Sequence, residues 1–297
     1  MINPIINFNP NFSRLTETKA TKKAEPQVNV LSNPIQRPKL PQPTTMMALL
    51  YNNISFTGKK EDLVRSLGHV SCPCCGTKML TNDDMDKVKK DLGKNDTAEH
   101  YIKTLKPYEE FMHKPEKGTF NRFEAWEKEN PKRTLQNFMQ ENRVESIKAC
   151  KESQLKTFEQ INEVAKTINP EVRENLAKLT ENYAKLPTET EEAMKNVRKS
   201  VIADIKDSKS KIGDEEKYNQ LQKLADSLPT SKNNTDAFIV KYAGQSSSKV
   251  GARLLKLSVG TIEHVKPQAN GGRDRVENYL LECGECNHTR GDVSLHD

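Results

Sequence analysis

Two Cys-x-x-Cys pairs, Cys72/Cys75 and Cys283/Cys286, carry the plainest chemistry in this 297-residue chain. Each pair sets two thiolates on one tight turn, and four such sulfurs satisfy tetrahedral Zn²⁺ at about 2.3 Å per bond. A redox dithiol is the competing reading of the first pair, but no βαβ pattern surrounds it and a second pair exists. Joining the pairs closes a loop of 207 residues. For a flexible chain that costs about 5 kcal/mol, and structural zinc supplies roughly 10 to 16 kcal/mol, so metal binding outweighs closure. Cys74 lies between the ligands of its pair and should point away from the metal, and Cys150 reads as a small buried apolar residue. Upstream of the second pair stands His264, whose neutral imidazole can take a proton near neutral pH. Glu263, beside it, offers a carboxylate of the kind Mg²⁺ or Mn²⁺ prefers.

The order of these residues is informative. Glu263-His264-Val265-Lys266-Pro267 is followed by Gly271-Gly272, by Asn278-Tyr279-Leu280-Leu281 and by Cys283-Gly284-Glu285-Cys286-Asn287-His288-Thr289-Arg290-Gly291-Asp292, with Cys72-Pro73-Cys74-Cys75-Gly76 far upstream. Over roughly residues 259 to 295 the chain resembles the HNH endonuclease family, whose ββα-metal motif reads acidic-His, Gly-Gly loop, Asn, then Cys-x-x-Cys-Asn at a helix start. Cys72 to Gly76 match the family's upstream zinc knuckle. The resemblance implies a treble-clef-like scaffold on a structural zinc, with metal-dependent hydrolysis of phosphodiester bonds, in DNA because the family mostly acts there. It implies that His264 is the base for water, that Asn278 braces the loop and orients the histidine, and that Asn287 is a metal ligand carried on the helix. Glu263 occupies the place where many members carry Asp as the other ligand. Neighbours on a regular strand face opposite sides, so Glu263 and His264 share a site only if the strand bends there. His288 is an alternative cation ligand or phosphate contact. Arg290 reads as a phosphate clamp, since a guanidinium meets phosphate oxygens as a fork. Lys266, Arg273 and Arg275 crowd the same loop and could track a nucleic-acid backbone, although their alternation with Asp274 and Glu277 fits an ordinary solvated loop equally well.

These residues must be held by elements legible in the rest of the chain. Hydrophobic residues make up 34%, aromatic 6% and charged 30%, so the cores are modest. Residues 1–58, rich in Asn, Pro, Thr and Lys, read as a disordered basic leader. Within residues 1–60, eight Lys/Arg stand against Glu17 and Glu25, which accounts for the whole net charge of +6. Global charge is therefore poor evidence for a DNA-binding face. Residues 59–80 form the first zinc-knuckle half, 81–243 a helical insertion and 244–297 the ββα-metal core with the second knuckle. Thr81-Asn82-Asp83-Asp84 can cap a helix through Leu92. Leu135, Phe138, Met139, Ile147, Cys150, Leu155, Phe158, Ile161, Ala165 and Ile168 lie on one stripe of a long helix from Arg133 to Ile168 that Asn169-Pro170 ends. Further helices cover 171 to 186, 189 to 209, 214 to 227 and 235 to 243. Leu254 to Val265 fits a strand pair or a helix end followed by one strand.

The expected fold is thus α+β, mostly α: a small ββα-metal zinc module split by a large helical bundle or hairpin, behind a disordered leader. The long insertion between the knuckles is the main departure from the family pattern. No secretory signal or 18-residue apolar run is visible, and the cysteine usage suits a reducing compartment, so the expectation is a cytoplasmic protein that does not enter a membrane. The expected cofactors are structural Zn and a catalytic Mg or Mn; the expected partner is nucleic acid, DNA by the resemblance, with any protein partner of the insertion left open. Two other functions fit the same residues: a non-catalytic zinc module that binds nucleic acid or protein, and a nuclease toxin.

Overall fold

The computed structural model describes residues 68–266, 268–273 and 278–290. The leader 1–58, residues 59–67, Pro267, the 274–277 segment with Arg275, and residues 291–297 lie outside the described residues. The architecture is α+β and mostly α.

The first knuckle is a short hairpin. Ser71 bridges Lys78, Cys72 N–H donates to Thr77 O at 2.8 Å, and Gly76 N–H returns to Cys72 O at 2.9 Å. Gly76 sits at φ 75°, a left-handed conformation that a Cβ would oppose. The chain then makes one parallel bridge, Leu80 to Val259, through Leu80 N–H to Ser258 O and Gly260 N–H to Leu80 O, both at 2.9 Å. This bridge closes the base of everything between. The helical body leaves the small module after Leu80 and returns to it at Ser258.

That body starts with α1, Asn82–Leu92, where Thr81 and Asp84 form a reciprocal capping box. It continues with α2, Ala98–Leu105, a 3₁₀ turn Lys106–Phe111, and α3, Lys114–Glu127. The stripe read as one helix from Arg133 to Ile168 is two: α4, Leu135–Glu141, and α5, Arg143–Ala165. Asn142 parts them, its side-chain amide donating to Phe138 O at 2.9 Å, which is the local bonding by which Asn competes with helix continuation. Leu155, expected on the buried stripe, is exposed, and Gln154 is buried in its place with its amide on Tyr183 O at 3.2 Å. Next come α6, Pro170–Ala184; α7, Glu191–Asp207; the short α8, Lys209–Ile212; α9, Glu215–Ser227; and α10, Thr235–Tyr242. The last helix of the body, α11, Ser247–Lys256, follows the Gly244–Ser246 turn that reads in sequence as a domain boundary. Its Val250, Leu254 and Leu255 are buried with α1 and α2, so the body runs on past residue 243 to 258.

Two helical cores result. One joins the knuckle end to α1–α4, α10 and α11 through Leu80, Leu92, Tyr101, Phe120, Phe123, Phe138 and Phe238. The other joins α5, α6, α7 and α9 through Phe158, Ile161, Leu176, Val201, Ile205 and Leu221. Between them Cys150, Met194, Ala237 and Val240 form a small bridging cluster. After the body come β1, Gly260–His264, and β2, Tyr279–Cys283, paired antiparallel with Glu263 opposite Leu280 and His264 opposite Tyr279. Strand β2 runs directly into α12, Gly284–Arg290. Among the described residues no helix is long and apolar enough to cross a membrane.

Candidate metal centre and active site

Cys72 and Cys75 come from the first hairpin, Cys283 from the end of β2 and Cys286 from the first turn of α12. Their four sulfurs lie within 4.8 Å of one another, and Cys75 Sγ stands 3.7 Å from Cys283 Sγ. Sulfurs at tetrahedral corners around Zn²⁺ are separated by roughly 3.8 Å when each bond is about 2.3 Å, so the spacing suits that ion. The acid–base chemistry points the same way. Cys72 is held down to about 4, first by the Cys283 thiol donating to it and then by backbone N–H groups of Cys283, Cys75 and Cys74. Cys283 and Cys286 are pushed far up, the first chiefly by the Cys72 sulfur and the second chiefly by burial. Without a cation only part of the set can ionise. Four clustered sulfurs therefore form a site that could hold a metal ion, and a dication is what makes four thiolates compatible. Cys74 is exposed, and Cys150 is buried in the bridging cluster, its thiol raised to about 12 by burial. Neither belongs to the set.

The start of α12 is docked on the helical body. Gly284 N–H donates to Val259 O at 3.0 Å and Glu285 N–H to Leu257 O at 3.1 Å, using two of the N–H groups that a helix start leaves open. This docking aims α12 across β1. Asn287 Nδ2 donates to Glu263 Oε1 at 2.6 Å and lies 3.2 Å from Thr261 Oγ1. Strand alternation puts Thr261 and Glu263 on one side of β1, and that side meets the helix. The structure thus brings Glu263 and Asn287 together across 24 residues of sequence.

His264 ends β1 one residue later. Its ring packs edge-on against Tyr279 with centroids 5.4 Å apart, and Nε2 lies 3.5 Å from the Gln268 side-chain nitrogen in the 3₁₀ turn Gln268–Asn270. The bend that would let Glu263 and His264 share a site is absent: both pair in register with β2, so their side chains leave β1 on opposite faces. Asn278 ties the loop beyond. Its Oδ1 accepts from Lys266 N–H at 2.8 Å and its Nδ2 donates to Lys266 O at 3.0 Å and Arg273 O at 2.9 Å. Its carbonyl also accepts from Val265 N–H at 2.8 Å. The side chain fixes the backbone just after His264, and so positions the histidine through the main chain.

Lys266 is exposed, with Nζ close to the Gly271 turn, where φ is 82°. Arg273 contributes its carbonyl to Asn278, Arg275 lies outside the described residues, and of Arg290 only the backbone, at the end of α12, is described. His288 is exposed on α12 and faces a groove shared with α1 and α11. Thr261, Gln268 and Tyr279 are neighbours that sequence reading did not single out. Thr261 could have been found, since it stands two residues before Glu263 on the same strand face. Gln268 carries no such signal. Comparison with protein-family models, with curated proteins and with solved structures finds no match to this chain.

Proposed function

We propose that this protein is a metal-dependent endonuclease of the HNH type, built on a structural zinc held by Cys72, Cys75, Cys283 and Cys286. The observation that carries the reading is the convergence of Glu263 and Asn287, 2.6 Å apart, with His264 the next residue of β1 and Asn278 bracing the loop after it. A carboxylate and an amide oxygen are hard donors that suit Mg²⁺ or Mn²⁺. Glu263, through its carboxylate, and Asn287, through its amide oxygen, are the residues that would hold such a cation. A cation held there would supply electrostatic stabilisation of the charge that builds on phosphate and leaving oxygen. His264 accepts the proton of the attacking water, Asn278 keeps the imidazole in place, and the P–O bond opposite the water breaks in line. DNA is the proposed substrate.

The experiment is cleavage of supercoiled plasmid with Mg²⁺, Mn²⁺ or a chelator. Nicked or linear product is expected with either ion and none with chelator. His264→Ala should lower the rate by at least roughly a hundredfold, the low end of general-base contributions. Zinc content and helicity should not change, because His264 is not among the four sulfur donors. A folded His264→Ala protein that cuts at the parent rate would remove the assigned base and leave a zinc module that binds without catalysis.

A further inference from the structure

The helical body contributes one wall of a groove that begins beside the candidate site. The groove, of about 640 Å³, runs between α1, α11 and the α12 edge of the strand pair. It is lined by Lys89 from α1, by Lys249, Arg253 and Lys256 from α11, and by Thr261 and His288 from the small module, with no carboxylate among its lining residues. Thr261 connects it to the site, since the same hydroxyl takes the Asn287 amide that holds Glu263.

The placement of the cations has a structural cause. Lys249, Arg253 and Lys256 are spaced by four and three, which on a helix is one stripe. The opposite face of α11, with Val250, Leu254 and Leu255, is buried. Gly251 lets α11 close on α1: a Cβ there would stand 2.9 Å from Leu92 Cδ1 and 3.1 Å from Tyr101 Cε1. Lys89 is thereby brought opposite the α11 stripe. Lys89, Lys249 and Lys256 are exposed. Lys89 has a loose 3.4 Å pairing with Asp86 at the rim, and Arg253 is half-buried with its guanidinium 5.7 Å from the Tyr242 ring centre. Three exposed lysines and Arg253, with no carboxylate lining the groove between them, suit a polyanion with regularly spaced charges.

Resting on the nuclease reading, we propose that this groove is a duplex-DNA track. Phosphates flanking the cut would sit on Lys89, Lys249, Arg253 and Lys256, so the insertion would extend the site's grip on its substrate. Contacts of this kind position the backbone and carry no sequence information.

The test measures binding of a fluorescent DNA duplex to full-length His264→Ala protein, by anisotropy across a salt series. Lys89→Gln, Lys249→Gln and Lys256→Gln are added together, with Arg253 left intact because it is packed. Affinity near 0.1 M salt should fall at least about tenfold, and the slope of log affinity against log salt should flatten by about 2 to 3, as loss of three phosphate contacts requires. The control neutralises Lys166, Lys178 and Lys185, exposed lysines on or beside α5 and α6, and should leave both quantities unchanged. Parent-like affinity and slope in the groove variant would overturn the track, as would an equal loss in the control or tighter binding of an RNA duplex. Plasmid cleavage by the otherwise native protein separates the two readings. Cleavage with an unaffected groove variant sinks only the track. Groove-dependent binding without cleavage sinks only the nuclease.

Discussion

Glu263, His264 and Asn287 show how three residues can be adjacent in chemistry while facing different neighbours. The carboxylate and the amide meet across the strand–helix junction, and the imidazole lies at the strand end against Tyr279. With β1 regular between them, Glu263 turns to the α12 side and His264 to the other, so the imidazole and the carboxylate–amide pair lie on different faces of the strand. A second residue-scale feature is Glu116 in the first turn of α3. It is 1% exposed, and neither carboxylate oxygen has a hydrogen-bond partner on another described residue. Burial pushes it up to about 7, opposed by its own backbone N–H and by Arg253 and Lys241, with nearby Glu285 adding to the shift. Unfolded, this group titrates near 4.5. Between those values the folded state holds a proton that the unfolded state has released, so stability falls as pH rises through the window. The loss amounts to about 3 kcal/mol at most. Glu116→Gln lacks that titration, so its denaturation midpoint relative to the parent should rise steadily from pH 5 to pH 8. Midpoints that stay parallel across this range would show that Glu116 ionises freely in the fold.

At the scale of elements, the decisive packing is α11 on α1. Gly251 meets Leu92 and Tyr101 at distances that leave no room for a side chain, and Leu92 and Tyr101 belong to the same buried core as Leu254 and Leu255. Gly251→Val should therefore destabilise the protein by about 1 to 3 kcal/mol, the usual cost of overpacking a filled core. The same shift would spread Lys249 and Lys256 away from Lys89, so DNA affinity should weaken at a temperature where the variant is still folded. Thermal unfolding and anisotropy on one preparation check both parts. A variant as stable as the parent would mean that the two helices separate at little cost.

For the whole molecule, the contrast is between small and large cores. Twenty buried residues make the first helical core and fourteen the second, but only four, two of them metal-site cysteines, form the cluster around the strand pair. A two-stranded ribbon with so little apolar cover is marginal by itself, and a metal ion on the four sulfurs would supply much of its cohesion. On the proposed reading, a strong zinc chelator should abolish cleavage and disorder the ribbon while most of the far-ultraviolet helical signal remains, since the helical cores contain no sulfur ligand pair. The two effects should return together on adding Zn²⁺. Collapse of the entire helical signal on chelation would show instead that the four-sulfur clasp holds the body as well as the module.

Local chemistry determined much of this in the sequence. Cys-x-x-Cys spacing, the Thr81 cap and the three-and-four periodicity of the helical body are short-range signals, and such signals survive in a linear reading because the interacting groups are a few residues apart. The helix starting at Pro170 and those at 191, 215 and 235 follow from caps and breaks of that kind. Where the stripe from Arg133 to Ile168 divides did not show, because Asn142 turns the chain with one side-chain bond that leaves the apolar spacing almost intact. Nor did the exchange of Leu155 for Gln154 in the interior, which depends on a carbonyl of α6 waiting 29 residues away. Tertiary structure alone decided that Leu80 and Val259 meet, so that the insertion springs from one point of the small module. It alone set Lys89 opposite α11, since charges more than 150 residues apart share a surface only when two helices close over a glycine.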